Sequence, residues 1–326
     1  MSSEIELAEP RRDRDPGAAV FLVLMVLIGS TTATAAKFAV KDVPLGLLPF
    51  ARFGIAGLCL LPIAWRNGSL RKMIREDGWR LLVTSAFCVP INQVFFLAGT
   101  RLAPTSHVGI IYATCPLVVL LLATFLGQER MVARRLVGVV LSVAGVIVIG
   151  AGNLLNGNGA ADFHTLRGDL LLVAAVIAWG AYLTANKPLV SRYGSMPTLA
   201  GTFIVGSLLQ LPITVATFPG FESLRSVSTT AWMGVLYLAF VVTIFGLFCQ
   251  NQSLRRLDAS QVATVGNAAP MLTIVWGVSL LGEEIGVSLV VGAMLTIAGI
   301  LWASRPVRQP RSDVTGIVPR LEVVAS

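Results

Sequence analysis

The chain has 326 residues, of which 55% are hydrophobic and only 13% are charged, and its mean hydropathy is +0.78. Soluble domains carry about a quarter charged residues, so this composition excludes an ordinary water-soluble globular protein. The net charge of +8 does not indicate nucleic-acid binding, because the basic residues cluster in short segments between apolar stretches.

Ten stretches are long and apolar enough to be transmembrane helices, since about 20 apolar residues cross the hydrocarbon core. A polar N-terminal tail, 1–16, precedes five of them, at 17–36, 47–65, 79–98, 105–127 and 133–151. A connecting segment rich in Gly and Asn, 152–167, leads to five more, at 168–187, 197–216, 230–250, 259–281 and 286–304. A polar C-terminal tail, 305–326, follows. The sequence therefore predicts an all-α polytopic membrane protein with ten transmembrane helices.

The lysines and arginines predict the orientation of these helices. Of the 25, nineteen lie in segments on the same side as the N-terminus, five lie on the other side, and Arg52 lies within a predicted span. Basic segments flanking membrane helices stay on the cytoplasmic side. Both termini are therefore predicted to be cytoplasmic.

The two halves of the chain, 17–151 and 168–304, repeat each other at an offset of 154 positions. The matched positions include Arg101 with Arg255, Ser106 with Ser260, Pro116 with Pro270, Glu129 with Glu283, Gly138 with Gly292, and Ser142 with Thr296. The small residues among them form pairs four positions apart, which let helix backbones approach closely in lipid. Because each half has an odd number of spans, the repeat is predicted to be inverted, the arrangement that alternating access uses.

Proline and glutamate recur at matching places in the two halves. Pro116 is followed by Glu129, Pro270 is followed by Gly282 and Glu283, and each pair precedes a helix with an Ala-Gly motif, at 143–146 and 297–300. In these motifs the chain resembles the EamA-type members of the drug/metabolite transporter superfamily. The segment 49–53 is similar to the family's second helix, and Lys37 stands where its first helix often ends. Gln128 departs from the pattern, because the family more often has Gly and Glu adjacent there. The resemblance implies two five-helix units and the export of small metabolites across a bacterial inner membrane.

Polar residues at membrane depth are costly and usually face the interior of a bundle. The candidates for a substrate cavity are Arg52, Asn92, Gln93, His107, Tyr112, Thr114, Trp179, Tyr182, Asn186 and Asn267. Arg52 suits a substrate carboxylate or phosphate, but its side chain is also close enough to a span end to extend to the surface. Trp179, Tyr182 and Asn186 share one helix face, which suits either a cavity wall or ordinary packing.

Three prolines are candidate hinges, Pro90, Pro116 and Pro270. A proline in a helix removes a backbone hydrogen bond and bends the helix, so these positions suit either a hinge or a static kink. Glu129, Glu283 and Glu284 lie at predicted helix ends, where we expect them to cap a helix or pair with a cation.

The seventeen acidic residues all fall in tails, loops or span ends, and His107 is the one candidate for an intramembrane proton carrier. A proton-coupled exporter of lipophilic cations needs a buried carboxylate. The sequence therefore favours export of neutral, zwitterionic or anionic metabolites, including amino acids. The alternatives are a proton-coupled multidrug exporter and an exchanger of phosphorylated or nucleotide-linked metabolites.

An enzyme is not expected, since the chain has two histidines and lacks the HExxH, GxSxG and Walker patterns. No cofactor, metal or catalytic residue is predicted. The expected partners are a small-molecule substrate and the lipid bilayer, and the sequence leaves a monomer and a homodimer open. A passive channel is disfavoured by the inverted repeat.

Overall fold

The computed structural model describes residues 16–66, 68–125, 133–155, 160–256, 268–283 and 285–304. Within these ranges all regular structure is helical. Seven helices there are long and apolar enough to cross a membrane, and three shorter apolar helices cover Leu136–Ile149, Leu272–Leu281 and Val287–Gly299. The chain is thus an α-helical polytopic membrane protein, as its composition predicts.

Eight α-helices lie in the described residues before position 156. They are α1 (Pro16–Ser30), α2 (Thr32–Ala39), α3 (Leu47–Arg66), α4 (Ser69–Ala86), α5 (Asn92–Leu102), α6 (Thr105–Ala113), α7 (Cys115–Phe125) and α8 (Ala133–Leu155). A π-helical turn, Phe87–Ile91, joins α4 to α5 and contains Pro90.

The described helices after residue 159 are α9 (Ala160–Tyr193), α10 (Ser195–Thr217), α11 (Glu222–Arg225), α12 (Thr229–Tyr237), α13 (Leu247–Arg256), α14 (Ala268–Leu281) and α15 (Val287–Ser304). A nine-residue π-helical segment, Leu238–Gly246, joins α12 to α13. Neither π-helical segment was expected, because an apolar span has the same hydropathy whether it forms an α-helix or a π-helix.

Several helix ends differ from the ends of the predicted spans. The predicted connection 152–167 is largely helical, because α8 continues to Leu155 and α9 begins at Ala160. The predicted span 105–127 is divided at Thr114, where α6 ends and α7 begins. Pro116 explains the break: it has no N–H to donate to the carbonyl of Tyr112, and Leu117 instead donates to Thr114 at 2.9 Å. Pro116 and Pro90 therefore coincide with irregular helix, whereas Pro270 lies within α14, and hinge motion at all three stays a prediction.

Helices α8 and α15 contact each other through the small residues that the sequence singles out for close helix packing. Ser142 Oγ donates to the Thr296 carbonyl at 3.1 Å, and Thr296 Oγ1 donates to the Ser142 carbonyl at 3.5 Å. A Cβ atom added to Gly145 would stand only 2.5 Å from the Gly292 carbonyl oxygen. These contacts are reciprocal between residues 154 positions apart.

Candidate functional site

Five polar side chains form a chain of hydrogen bonds inside the bundle. In order, they are Thr243, Arg52, Gln93, Asn92 and Tyr112. We call these five residues the Arg52 cluster. It joins α3, α5 and α6 to the π-helical segment before α13. Four of the ten candidates that the sequence singles out are thus brought together in one place.

Arg52 is 5% exposed and does not extend to the surface. Its Nε donates to Thr243 Oγ1 at 2.5 Å, and its Nη1 donates to Gln93 Oε1 at 3.3 Å. Both partners are neutral, and Arg52 forms no ion pair within the described ranges 16–66, 68–125, 133–155, 160–256, 268–283 and 285–304. A guanidinium has five N–H donors in a fork that matches a carboxylate. Arg52 therefore has donors left for an anionic group.

Gln93 and Asn92 connect Arg52 to the opposite wall of the cluster. Both begin α5, directly after the π-helical turn at Pro90. Gln93 Nε2 donates to Asn92 Oδ1 at 2.7 Å. Asn92 Nδ2 then donates to the Ala175 carbonyl of α9 at 2.8 Å and to the Tyr112 hydroxyl at 3.2 Å. Both amides are buried, so each hydrogen bond is made in a site of low polarity, where it also fixes orientation.

Thr243 is a member of the cluster that the sequence did not single out. Its hydroxyl donates to the Leu238 carbonyl at 2.8 Å and so can only accept the hydrogen bond from Arg52. Leu238 precedes it by five residues, the spacing that the π-helical geometry makes available. A threonine in an apolar span usually bonds its own backbone, so nothing in its sequence context distinguishes it.

Three candidates on α9 contact one another but take no part in the hydrogen bonds of the Arg52 cluster. The rings of Trp179 and Tyr182 are 4.8 Å apart between centroids, and Asn186 Nδ2 donates to the Tyr182 hydroxyl at 3.4 Å. Tyr182 belongs to an apolar core cluster against which Trp179 packs. A role in lining a cavity stays a prediction for all three.

Two further candidates have other partners. Thr114 donates to the Ile111 carbonyl at 2.6 Å, within its own helix end. His107 Nδ1 lies 2.9 Å from Asp169 Oδ1, and both residues are buried. Asp169 stands near a predicted span end, and no feature of the sequence indicates that it meets His107. Asn267 lies outside the described residues.

A second cluster of charged residues lies where α2 ends and α6 begins. Lys37 Nζ is 3.0 Å from Glu283 Oε1, and the backbone N–H groups of Thr105 and Ser106 donate to the same carboxylate at 2.6 and 2.9 Å. Burial raises the pKa of Glu283, but these three donors lower it, and the net pKa lies below the usual value. Glu283 therefore caps a helix and pairs with a cation, as expected. A cleft of about 440 Å³ opens beside it, between Lys41 and Arg101.

Comparison with known protein families identifies the family of this chain. The model of the EamA-like transporter family matches residues 16–151 and 166–305. The chain belongs to the EamA-like transporter family. The resemblance inferred from Pro116, Glu129, Pro270 and Glu283 is thereby confirmed.

Relatives of this EamA-like transporter span nearly its whole length. It is 22% identical over 298 residues to the uncharacterized transporter YyaM of Bacillus subtilis, covering 89% of this chain and 95% of the relative. It is 26% identical over 285 residues to a probable terminal-alkyne amino-acid exporter of Streptantibioticus cattleyicolor, covering 87% and 92%. It is 24% identical over 250 residues to the aromatic amino acid exporter YddG of Ancylobacter novellus, covering 76% and 83%.

A solved crystal structure has the same fold. It matches with a TM-score of 0.61 at 22% identity, and the match covers 88% of this chain and 96% of the other. At this identity the likeness shows the fold alone.

Proposed function

We propose that this EamA-like transporter exports small metabolites that carry a carboxylate, amino acids among them, by alternating access. The observation that carries the proposal is the buried Arg52, whose described partners are neutral. Charges at membrane depth are costly and usually serve a substrate or ion pathway. A carboxylate ligand would supply the missing counter-charge.

The geometry around Arg52 suits such a ligand. Gln93 and Thr243 hold the guanidinium from two sides, so its orientation is set before a ligand arrives. The Asn92 amide and the Tyr112 hydroxyl lie further along the same chain of hydrogen bonds, where they could contact an amino group. The cluster is enclosed, so a ligand enters only when the bundle opens.

Alternating access is supported by the repeat. The reciprocal contacts of Ser142 and Thr296 relate positions offset by 154, the same offset at which the sequence halves align. We propose ten transmembrane helices in two inverted units, 17–151 and 168–304, with both termini cytoplasmic in a bacterial inner membrane. In that orientation Lys37 and Glu283 lie at the outer end.

The names of two relatives agree with the proposed substrate class, since one is called an aromatic amino acid exporter and another a probable terminal-alkyne amino-acid exporter. Their similarity to this chain, 24% and 26% identity, is compatible with a different side-chain preference. We therefore propose the carboxylate and leave the rest of the substrate to experiment.

A second candidate is proton-coupled export, and the observation in its favour is the buried pair of His107 and Asp169. Proton relays in membrane carriers are built from histidine and acidic side chains such as these two. This candidate predicts that a pH gradient drives transport and that His107→Gln abolishes the gradient dependence.

The test is uptake and counterflow in proteoliposomes, with labelled amino acids, organic acids, phosphorylated metabolites and lipophilic cations, each with and without a pH gradient. Saturable counterflow of amino or organic acids without a gradient is expected. Movement of lipophilic cations alone, dependent on the gradient, would contradict the proposal and favour proton-coupled drug export.

A further inference from the structure

We propose that the Glu283 carboxylate acts as a latch, that is, its contacts hold one end of the bundle closed and position α6. These contacts must break before substrate leaves at that end, a step that rests on the proposed function. The carboxylate ties together the end of α2, the start of α6 and the turn after α14. We call this end of the bundle, defined by Lys37, Thr105 and Glu283, the Glu283 end.

One carboxylate makes all of the contacts. Oε1 accepts from Lys37 Nζ at 3.0 Å and from the Thr105 N–H at 2.6 Å, while Oε2 accepts from the Ser106 N–H at 2.9 Å. These partners are 246, 178 and 177 residues away in sequence. The Glu283 side chain is 11% exposed and that of Lys37 is 24% exposed. The latch thus joins the first half of the chain to the second.

Helix α6 has no local cap that would make Glu283 dispensable. The first N–H groups of a helix have no partner within the helix, and a nearby side chain usually accepts from them. Here the residue before α6 is Pro104, which has no side-chain acceptor. If the two halves separate at this end, those N–H groups lose their acceptor. The closed arrangement is therefore stabilised by a contact that opening must break.

Two glycines place the carboxylate. Gly282 has a φ of +65°, a left-handed conformation that ends α14 and turns the next residue back toward α6. Gly277 leaves the space that the carboxylate occupies, since a Cβ atom there would stand 2.7 Å from Glu283 Oε2. Gly277→Ala therefore displaces the carboxylate without changing its charge.

The latch also connects to the Arg52 cluster through α6. Tyr112 lies seven residues after Thr105 on the same helix, about 10 Å along its axis. Its hydroxyl accepts from Asn92. When α6 moves at its start, Tyr112 moves relative to Asn92, so release of the latch loosens one wall of the cluster. Glu283 is a positioning residue and does not itself contact substrate.

The experiment measures opening directly, in the full-length chain in proteoliposomes without substrate. Thr100 is 1% exposed and lines the cleft beside Glu283, so Thr100→Cys is a reporter for an impermeant maleimide. The reporter is placed in a Cys59→Ser background, because Cys59 is exposed whereas Cys88, Cys115 and Cys249 are buried. The labelling rate of each variant is compared with that of the reporter in this otherwise native chain. We expect Glu283→Gln, Lys37→Met and Gly277→Ala each to raise the rate of reporter labelling by about fivefold or more.

Two matched controls are available. Lys41→Gln removes a positive charge from the same cleft without touching Glu283, and Glu222→Gln removes an exposed carboxylate from α11. Both should label at the native rate. The double variant Lys37→Met with Glu283→Gln should label no faster than Glu283→Gln alone, because the two residues act through one contact.

Counterflow provides a second readout that a merely structural role would not move. Release of the latch should change the maximal rate more than the KM, which should move by less than about threefold, because only the Tyr112 wall of the cluster loosens while Arg52 keeps Gln93 and Thr243. Native labelling rates in both Glu283→Gln and Gly277→Ala would overturn the latch, whatever the substrate proves to be. Failure of carboxylate transport with raised labelling would instead overturn the proposed function and leave the latch standing.

Discussion

Replacing Arg52 with methionine separates a binding role from a structural one. Methionine has a similar length and no charge, so it keeps most of the packing of the side chain. Because the described partners of Arg52, Gln93 and Thr243, are neutral, the substitution leaves no uncompensated charge in the bundle. A structural buried ion pair would behave differently, since removing one partner of such a pair costs about 3–5 kcal/mol.

We expect Arg52→Met to change stability only slightly and substrate affinity strongly. Two hydrogen bonds from the charged guanidinium are lost, at about 1.5–3 kcal/mol each, but the cost of burying that charge, on the order of several kcal/mol, disappears as well, so the free energy of unfolding should change by less than about 2 kcal/mol. A carboxylate ligand would lose a charge-assisted contact of about 2–3 kcal/mol in total. At about 1.4 kcal/mol per factor of ten, the KM should rise roughly 30- to 140-fold.

The assay is counterflow of a transported amino acid in proteoliposomes, paired with thermal unfolding of the purified chain in detergent. Arg52→Lys is the matched variant, because it keeps the charge but loses the planar guanidinium. Its KM should lie between that of the native chain and that of Arg52→Met. A wild-type KM in Arg52→Met would refute the binding role. A loss of several kcal/mol of stability with no folded protein left to assay would show that the residue is structural.

Other substitutions test the packing, the cluster and the loops. Gly145→Ala should destabilise the chain by about 1–3 kcal/mol in thermal unfolding, because its Cβ would stand 2.5 Å from the Gly292 carbonyl, while Gly29→Ala, with nothing within 4 Å of its Cβ, should be neutral or stabilising. Tyr112→Phe should cost about 1 kcal/mol or less in the same assay, since Asn92 keeps its bond to Ala175, and a larger loss would contradict that geometry. The Ser228 hydroxyl and backbone N–H lower the pKa of Asp42, so its stabilising contribution is present above about pH 4 and is lost as the pH falls through the lower folded value. Asp42→Asn should therefore flatten the acid limb of a melting-temperature profile, and an unchanged limb would exclude this contribution.

Much of the fold follows from hydropathy and from the repeat. The helical class was predictable, and so was close helix packing at Gly138, Ser142, Gly292 and Thr296, because small residues four apart let helix backbones approach. That α8 and α15 are each other's partners was shown only by the structure. The break at Thr114 was less accessible, since a proline predicts a kink without saying whether the helix bends or ends. The two π-helical segments were inaccessible, because a change in helical hydrogen bonding leaves no trace in hydropathy.

The candidate site was predictable in its members but not in their pairing. Four members stand out in the sequence as polar residues in apolar spans, namely Arg52, Asn92, Gln93 and Tyr112. Thr243 does not, because it accepts from Arg52 only through its place in the π-helical segment Leu238–Gly246. Asp169 was assigned to a span end, and only the packing of α6 against α9 brings it to His107. Contacts between residues far apart in sequence depend on helix rotation, which periodicity alone leaves undetermined.

The most direct test of a carboxylate-binding carrier is counterflow with a matched pair of solutes, an aromatic amino acid and the amine that lacks only its carboxylate. We predict saturable counterflow of the amino acid in the native chain, at least tenfold weaker exchange of the amine, and loss of this preference in Arg52→Met. Equal exchange of the two solutes by the native chain, or a preference that survives in Arg52→Met, would contradict the assignment of Arg52 to the substrate carboxylate.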